Sequence, residues 1–79
     1  LVATTAALKD AAALGFDKAE IVRALQLMER SHFDKSMTSF ADHREWQDVY
    51  HVPYAGLVVY VKFTERALTG FQLLSFKEK

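Results

Sequence analysis

The run Leu57-Val58-Val59-Tyr60-Val61-Lys62-Phe63-Thr64 alternates with a period of two, the pattern of a strand with two different faces. Leu57, Val59, Val61 and Phe63 fall on one face and belong to a core. Val58, Tyr60, Lys62 and Thr64 fall on the other, which must be partly open, because a lysine buried without a partner is costly. A chain built around this strand has to form a sheet, and one side of that sheet needs an apolar cover.

The neighbouring segments supply both. Phe33 to Tyr50 reads as two strand segments around a charged tip, Ala41-Asp42-His43-Arg44-Glu45, a hairpin that displays side chains on a hydrogen-bonded frame. Pro53, Ala55 and Gly56 mark the next turn. The last strand, Phe71 to Phe76, follows a turn that includes Thr69 and Gly70, and ends in Lys77-Glu78-Lys79. The result is an antiparallel meander of four strands. Ahead of it, Leu1 to Thr4 reads as a strand stub. Thr4 or Thr5 caps a helix over Ala6–Leu14, which Gly15 stops. Asp17 caps a second helix, with Glu20 three residues on and Phe16 placed to staple onto Ile21. Ile21, Ala24, Leu25 and Met28 line its apolar face, and Lys18, Arg23, Glu29 and Arg30 its solvated one. Two helices covering one face of an antiparallel sheet define an α+β, two-layer fold.

At 79 residues the chain has room for a single domain, residues 1–79. Because it begins at Leu1 and not Met, a missing N-terminal piece is expected. Six Phe, three Tyr and one Trp indicate a packed core. The sequence contains no cysteine, which excludes disulfides and thiol chemistry and suits a reducing cytoplasm. The formal net charge of zero weighs mildly against a nucleic-acid partner. No apolar run reaches membrane-spanning length and no signal peptide is visible, so no membrane partner is expected.

Lys35, Gln47, Tyr60 and Lys77 lie one to a strand on the open face. If the strands pair in sequence order, cations, an amide and a phenol gather in one shallow patch, which suits a phosphate substrate. The matching reaction is cleavage of RNA by its own 2′-hydroxyl, which requires no metal. For a lysine or a tyrosine to act as its base, the ordinary pKa of roughly 10 has to fall, and neighbouring cations push it down. On periodicity and composition by themselves, surface lysines scattered over a small domain are the better reading.

His32, His43 and His51 with Asp34, Asp42 and Asp48 show no tight ligand spacing, so no metal is expected. His43 and Arg44 at the tip, and Lys62 on the open face, are candidates for RNA contact; for His43 a catalytic role and a plain polar turn residue are the alternatives. A Ser-His-Asp triad lacks a nucleophile elbow. Phe33, Phe40 and Trp46 are expected in the core, not as base-stacking platforms.

The segments Phe33-Asp34-Lys35-Ser36-Met37-Thr38, Asp42-His43, Trp46-Gln47-Asp48-Val49-Tyr50, Val59-Tyr60-Val61-Lys62 and Ser75-Phe76-Lys77-Glu78-Lys79 closely resemble the MqsR toxin family, the motility quorum-sensing regulators. The resemblance covers nearly the whole chain and is strongest from Phe33 onward. It implies a RelE-like toxin of a type II toxin–antitoxin pair, an endoribonuclease that cuts mRNA without metal, cofactor or ribosome at GCN-type sites such as GCU. It also implies blocked translation and growth, links to biofilm formation, quorum sensing and persistence, and an antitoxin from the same operon with a helix-turn-helix DNA-binding domain.

Carried over by position, the family's catalytic residues fall on Lys35, Gln47, Tyr60 and Lys77. Lys35 and Tyr60 then share proton transfer and phosphate stabilisation, Gln47 orients the phosphate or 2′-hydroxyl, and Lys77 stabilises charge. The chain departs from the family at Asp34, where an aromatic is expected, in a longer connection over 65–70, in its neutral charge, and in lacking the family's N-terminal segment. The alternative function is a catalytically inactive relative that binds an antitoxin or RNA through the same sheet.

Overall fold

A computed structural model of the protein describes residues 2–66 and 70–79. Its elements are β1 (Val2–Ala3), α1 (Thr5–Ala13), α2 (Lys18–Gln26), a 3₁₀ turn (Arg30–His32), β2 (Phe33–Thr38), β3 (Trp46–Tyr54), β4 (Leu57–Arg66) and β5 (Gly70–Glu78). The strands form one sheet in the order β1-β5-β4-β3-β2. From β2 to β5 it is the expected antiparallel meander. The N-terminal stub adds a short parallel strand, with Val2 opposite Gln72 and Ala3 opposite Leu73. That addition makes the sheet mixed and puts β5, the last of the described strands, inside it. The expected long connection over 65–70 falls partly on residues 67–69, outside the described residues; Glu65, Arg66 and Gly70 belong to strands.

Local chemistry sets the helices. Thr4 caps α1 by accepting from the Ala7 amide at 3.2 Å. Gly15, at φ 81°, closes the helix with paired bonds, its own amide to the Ala12 carbonyl and the Phe16 amide to Ala11, both 2.9 Å. This is a Schellman ending, which the missing Cβ of glycine permits. Asp17 accepts from the Glu20 amide at 3.0 Å. Glu20 does not complete the box by reaching back. Its carboxylate instead accepts from the Tyr54 hydroxyl and pairs with Arg23. Donation to that carboxylate, and then burial, push the Tyr54 phenol above its usual range.

The two layers meet at a core of Ala7, Ala11, Ile21, Ala24, Val52, Val59, Val61, Leu73 and Phe76. Alanines four residues apart on α1 let that helix lie close on β5. Where β1 has ended, the Phe76 amide donates to Asp10 on α1 at 3.1 Å, so a strand N–H beside the core is not left unpaired.

Three aromatics depart from expectation. Trp46 is 61% exposed, Phe33 45%, and Phe40 fully so. Phe33 lies on the outer strand β2; for Trp46 and Phe40 the cause is length, since helices of nine residues reach about 14 Å, whereas the nine residues of β3 run about 30 Å. The hairpin end of the sheet therefore outruns its cover. Phe33 is held at the margin by edge contact with Tyr50 at 5.4 Å, and Tyr50 stacks on Phe63 at 5.6 Å. Thr64 departs the other way, buried at 2% exposure, because its hydroxyl is satisfied by donating to the Trp46 carbonyl at 2.6 Å.

Candidate active site on the open face

Tyr60 stands at the centre of the uncovered face. Its cross-strand partners are His51 on β3 and Lys77 on β5. The Lys77 Nζ lies 5.4 Å from the centroid of the Tyr60 ring, a cation–π arrangement. The His51 ring lies 6.0 Å away on the other side. Behind it, His51 Nε2 sits 3.6 Å from Asp34 Oδ2. Asp34 arrives there through a bulge, since the β2–β3 register shifts between Phe33 and Lys35, and bulges re-aim side chains in this way. A row Asp34–His51–Tyr60–Lys77 thus crosses all four strands of the meander.

The next row along the strands is Lys35, Val49, Lys62 and Ser75. Val49 is fully buried yet lies outside the main core. It is flanked in register by the two lysines, whose methylene stems suit covering apolar surface while the ammonium heads stay wet. The row after that holds Met37, Gln47, Thr64 and Gln72. The Gln47 amide donates to Glu45 at 3.2 Å.

Of the catalytic candidates, the structure brings Tyr60 and Lys77 into contact. Lys35 is one row away on the outer strand β2. Gln47 is two rows away, four residues before His51, roughly 13 Å along the strand. Lys62, one row from Tyr60 on the same strand, adds a third ammonium to this face. His43 and Arg44 form the exposed turn beyond the Gln47 row. Arg44 is tied down locally: its amide and its Nε both donate to Asp42 Oδ1, at 2.9 and 3.3 Å.

His51 and Asp34 escaped the sequence reading as site residues. One signal was available, since counting by twos from Gln47 along β3 reaches Val49 and then His51. The Asp34 position needed the bulge, which no spacing rule announces. His32 is used otherwise, its Nδ1 accepting from the Glu29 amide at 3.0 Å. Among the described residues no group of three His, Asp or Glu side chains is placed to hold a metal ion. No helix among them is long and apolar enough to cross a membrane. An apolar hollow of about 250 Å³ lined by Leu25, Met28, Phe63, Phe71 and Leu73 opens on the helix side, away from Tyr60 and Lys77.

Two comparisons bear on this face. The family profile described as "Motility quorum-sensing regulator, toxin of MqsA" matches residues 1–78. The mRNA interferase toxin MqsR of Escherichia coli strain K12 is 38% identical over 76 residues, covering 96% of this chain and 76% of that protein.

Proposed function

The chain belongs to the motility quorum-sensing regulator family, toxins of MqsA, and from that premise we propose that it is an endoribonuclease that cuts mRNA and arrests growth. The α+β fold is consistent with a RelE-like toxin. The observation that carries the reaction is the contact of Tyr60 with Lys77 on a face that also presents Lys35 and Lys62.

In the reaction the 2′-oxygen of a nucleotide loses its proton and bonds to the adjacent phosphorus. The bond to the 5′-oxygen breaks, and that oxygen takes up a proton. The products are a 2′,3′-cyclic phosphate and a free 5′-hydroxyl. Tyr60 and Lys35 share proton transfer and phosphate contact, Lys77 offsets the charge of the crowded phosphorane, and Gln47 orients the strand. His43, Arg44 and Lys62 hold the RNA backbone. The reading extends to cleavage without metal or ribosome at GCN-type sites, to a cytoplasmic setting, and to an operon-encoded helix-turn-helix antitoxin that covers this face. Effects on biofilm, quorum sensing and persistence follow from growth arrest within the same reading.

The test is digestion of a defined mRNA in EDTA. Discrete fragments ending in 2′,3′-cyclic phosphate, lost with Tyr60→Phe and with Lys35→Ala, support the reading. Intact RNA overturns it. The separation of Gln47 from the Tyr60–Lys77 contact favours one alternative, an inactive relative that binds antitoxin or RNA through the sheet. RNA that is bound but left whole is its signature.

A further inference from the structure

We propose that His51, oriented by Asp34, is a proton-transfer residue of this site and takes the proton from the attacking 2′-hydroxyl. The inference rests on the nuclease reading and deepens it. Three observations carry it. His51 is the immediate cross-strand neighbour of Tyr60, with ring centroids 6.0 Å apart, whereas Lys35 lies a row away and two strands over. Its Nε2 lies 3.6 Å from Asp34 Oδ2, which favours the tautomer with the proton on Nε2 and the lone pair on Nδ1. Its side chain is only 24% exposed, so the ring is held in place and not sweeping through solvent.

A carboxylate behind an imidazole fixes its tautomer and stabilises the imidazolium formed when it accepts a proton. Imidazole is also the side chain whose ordinary range lies closest to neutrality, so it needs little tuning to act as a base there. Lysine and tyrosine need a great deal. In the step, His51 Nδ1 takes the 2′-proton as the 2′-oxygen bonds to phosphorus. The 5′-oxygen leaves with the proton of the Tyr60 phenol, the next group in the row. Solvent then returns the proton from the imidazolium to the phenolate, and the site is restored. The charged and titratable groups around His51 are Asp34 and Lys35 on β2, Tyr60 and Lys62 on β4 and Lys77 on β5. The 3₁₀ turn packed on β3 adds Arg30 and His32.

The experiment is the pH dependence of kcat/KM for cleavage of a defined RNA oligonucleotide in EDTA, for the intact protein, His51→Gln and Asp34→Asn. The intact protein is expected to show an acid limb, the mark of a base that must be unprotonated to work. His51→Gln lowers kcat by about 10²–10⁴-fold, abolishes that limb and leaves KM within about threefold. Asp34→Asn keeps partial activity, with kcat lowered less than in His51→Gln and KM within about threefold. His51→Gln cutting within about threefold of the intact protein, limb in place, overturns the inference and leaves the nuclease reading standing. If His51→Gln does not fold, an unchanged kcat in Asp34→Asn overturns it. Failure of the intact protein to cut RNA overturns both.

Discussion

Lys77 carries its ammonium over the ring of its cross-strand partner Tyr60, 5.4 Å from the centroid. The contact uses the ring and leaves the hydroxyl to chemistry, so the two functions separate by mutation. Tyr60→Phe keeps the cation over a ring and is expected to leave the thermal midpoint unchanged while lowering kcat by about 10²–10⁴-fold. Lys77→Ala loses the contact at a cost of roughly 1 kcal/mol or less, and also slows cleavage. Single-turnover kinetics and thermal melts on both variants check this.

Arg44 and Lys35 probe binding at two distances from that pair. Arg44 sits on the exposed turn beyond Gln47, itself roughly 13 Å along the strand from the Tyr60 row. Arg44→Ala is expected to weaken RNA binding with kcat intact. Lys35→Ala is expected to lower both, and to reduce the slope of log affinity against log salt by about 1. Titrations at several salt concentrations read the binding loss of each variant, and single-turnover rates at saturating protein distinguish the two.

Tyr54 and Glu20 tie β3 to α2 on the covered side. The Tyr54 phenol is pushed above its usual range, first by donating to Glu20. A group whose folded pKa is raised contributes stability that is complete below its unfolded pKa, about 10 here, and is lost as pH rises through the folded value. Denaturant midpoints are therefore expected to hold to about pH 10 and then fall. Tyr54→Phe is expected to show a smaller alkaline loss. An identical alkaline decline in both proteins refutes the link.

Ala55 sits at φ 51° beside Gly56 at φ 78°, in a two-residue turn between Tyr54 and Leu57. Both positions of such a turn need positive φ, which a Cβ disfavours by about 1–2 kcal/mol. Ala55→Gly is expected to stabilise the protein by roughly 1 kcal/mol, which raises the midpoint of a chain this size by about 4–8 °C. Calorimetry reads it directly.

The strands, the caps at Thr4 and Asp17 and the stop at Gly15 were legible because each rests on neighbours in sequence. So was the placement of Lys35, Gln47, Tyr60 and Lys77 on one face, which needs only alternation and sequential pairing. The distances within that face were not legible. They depend on register, and the register places Gln47 opposite Thr64 and Tyr60 opposite His51. The bulge that brings Asp34 to His51 depends on tertiary pairing of the same kind. The exposure of Phe40 and Trp46 was misjudged for another reason. Hydrophobicity says what prefers a core, but only helix length against strand length says how far the core extends.

The position of β5 between β1 and β4 has a consequence for biosynthesis. β5, which is synthesised after β1 to β4, is interior to the sheet, contributes Leu73 and Phe76 to the core and supplies Lys77. Without β5, β1 has no strand to pair with, β4 is left as an edge, and Tyr60 lacks its cation. The Tyr60–Lys77 contact therefore cannot form during translation until β5 has been made and has paired with β4.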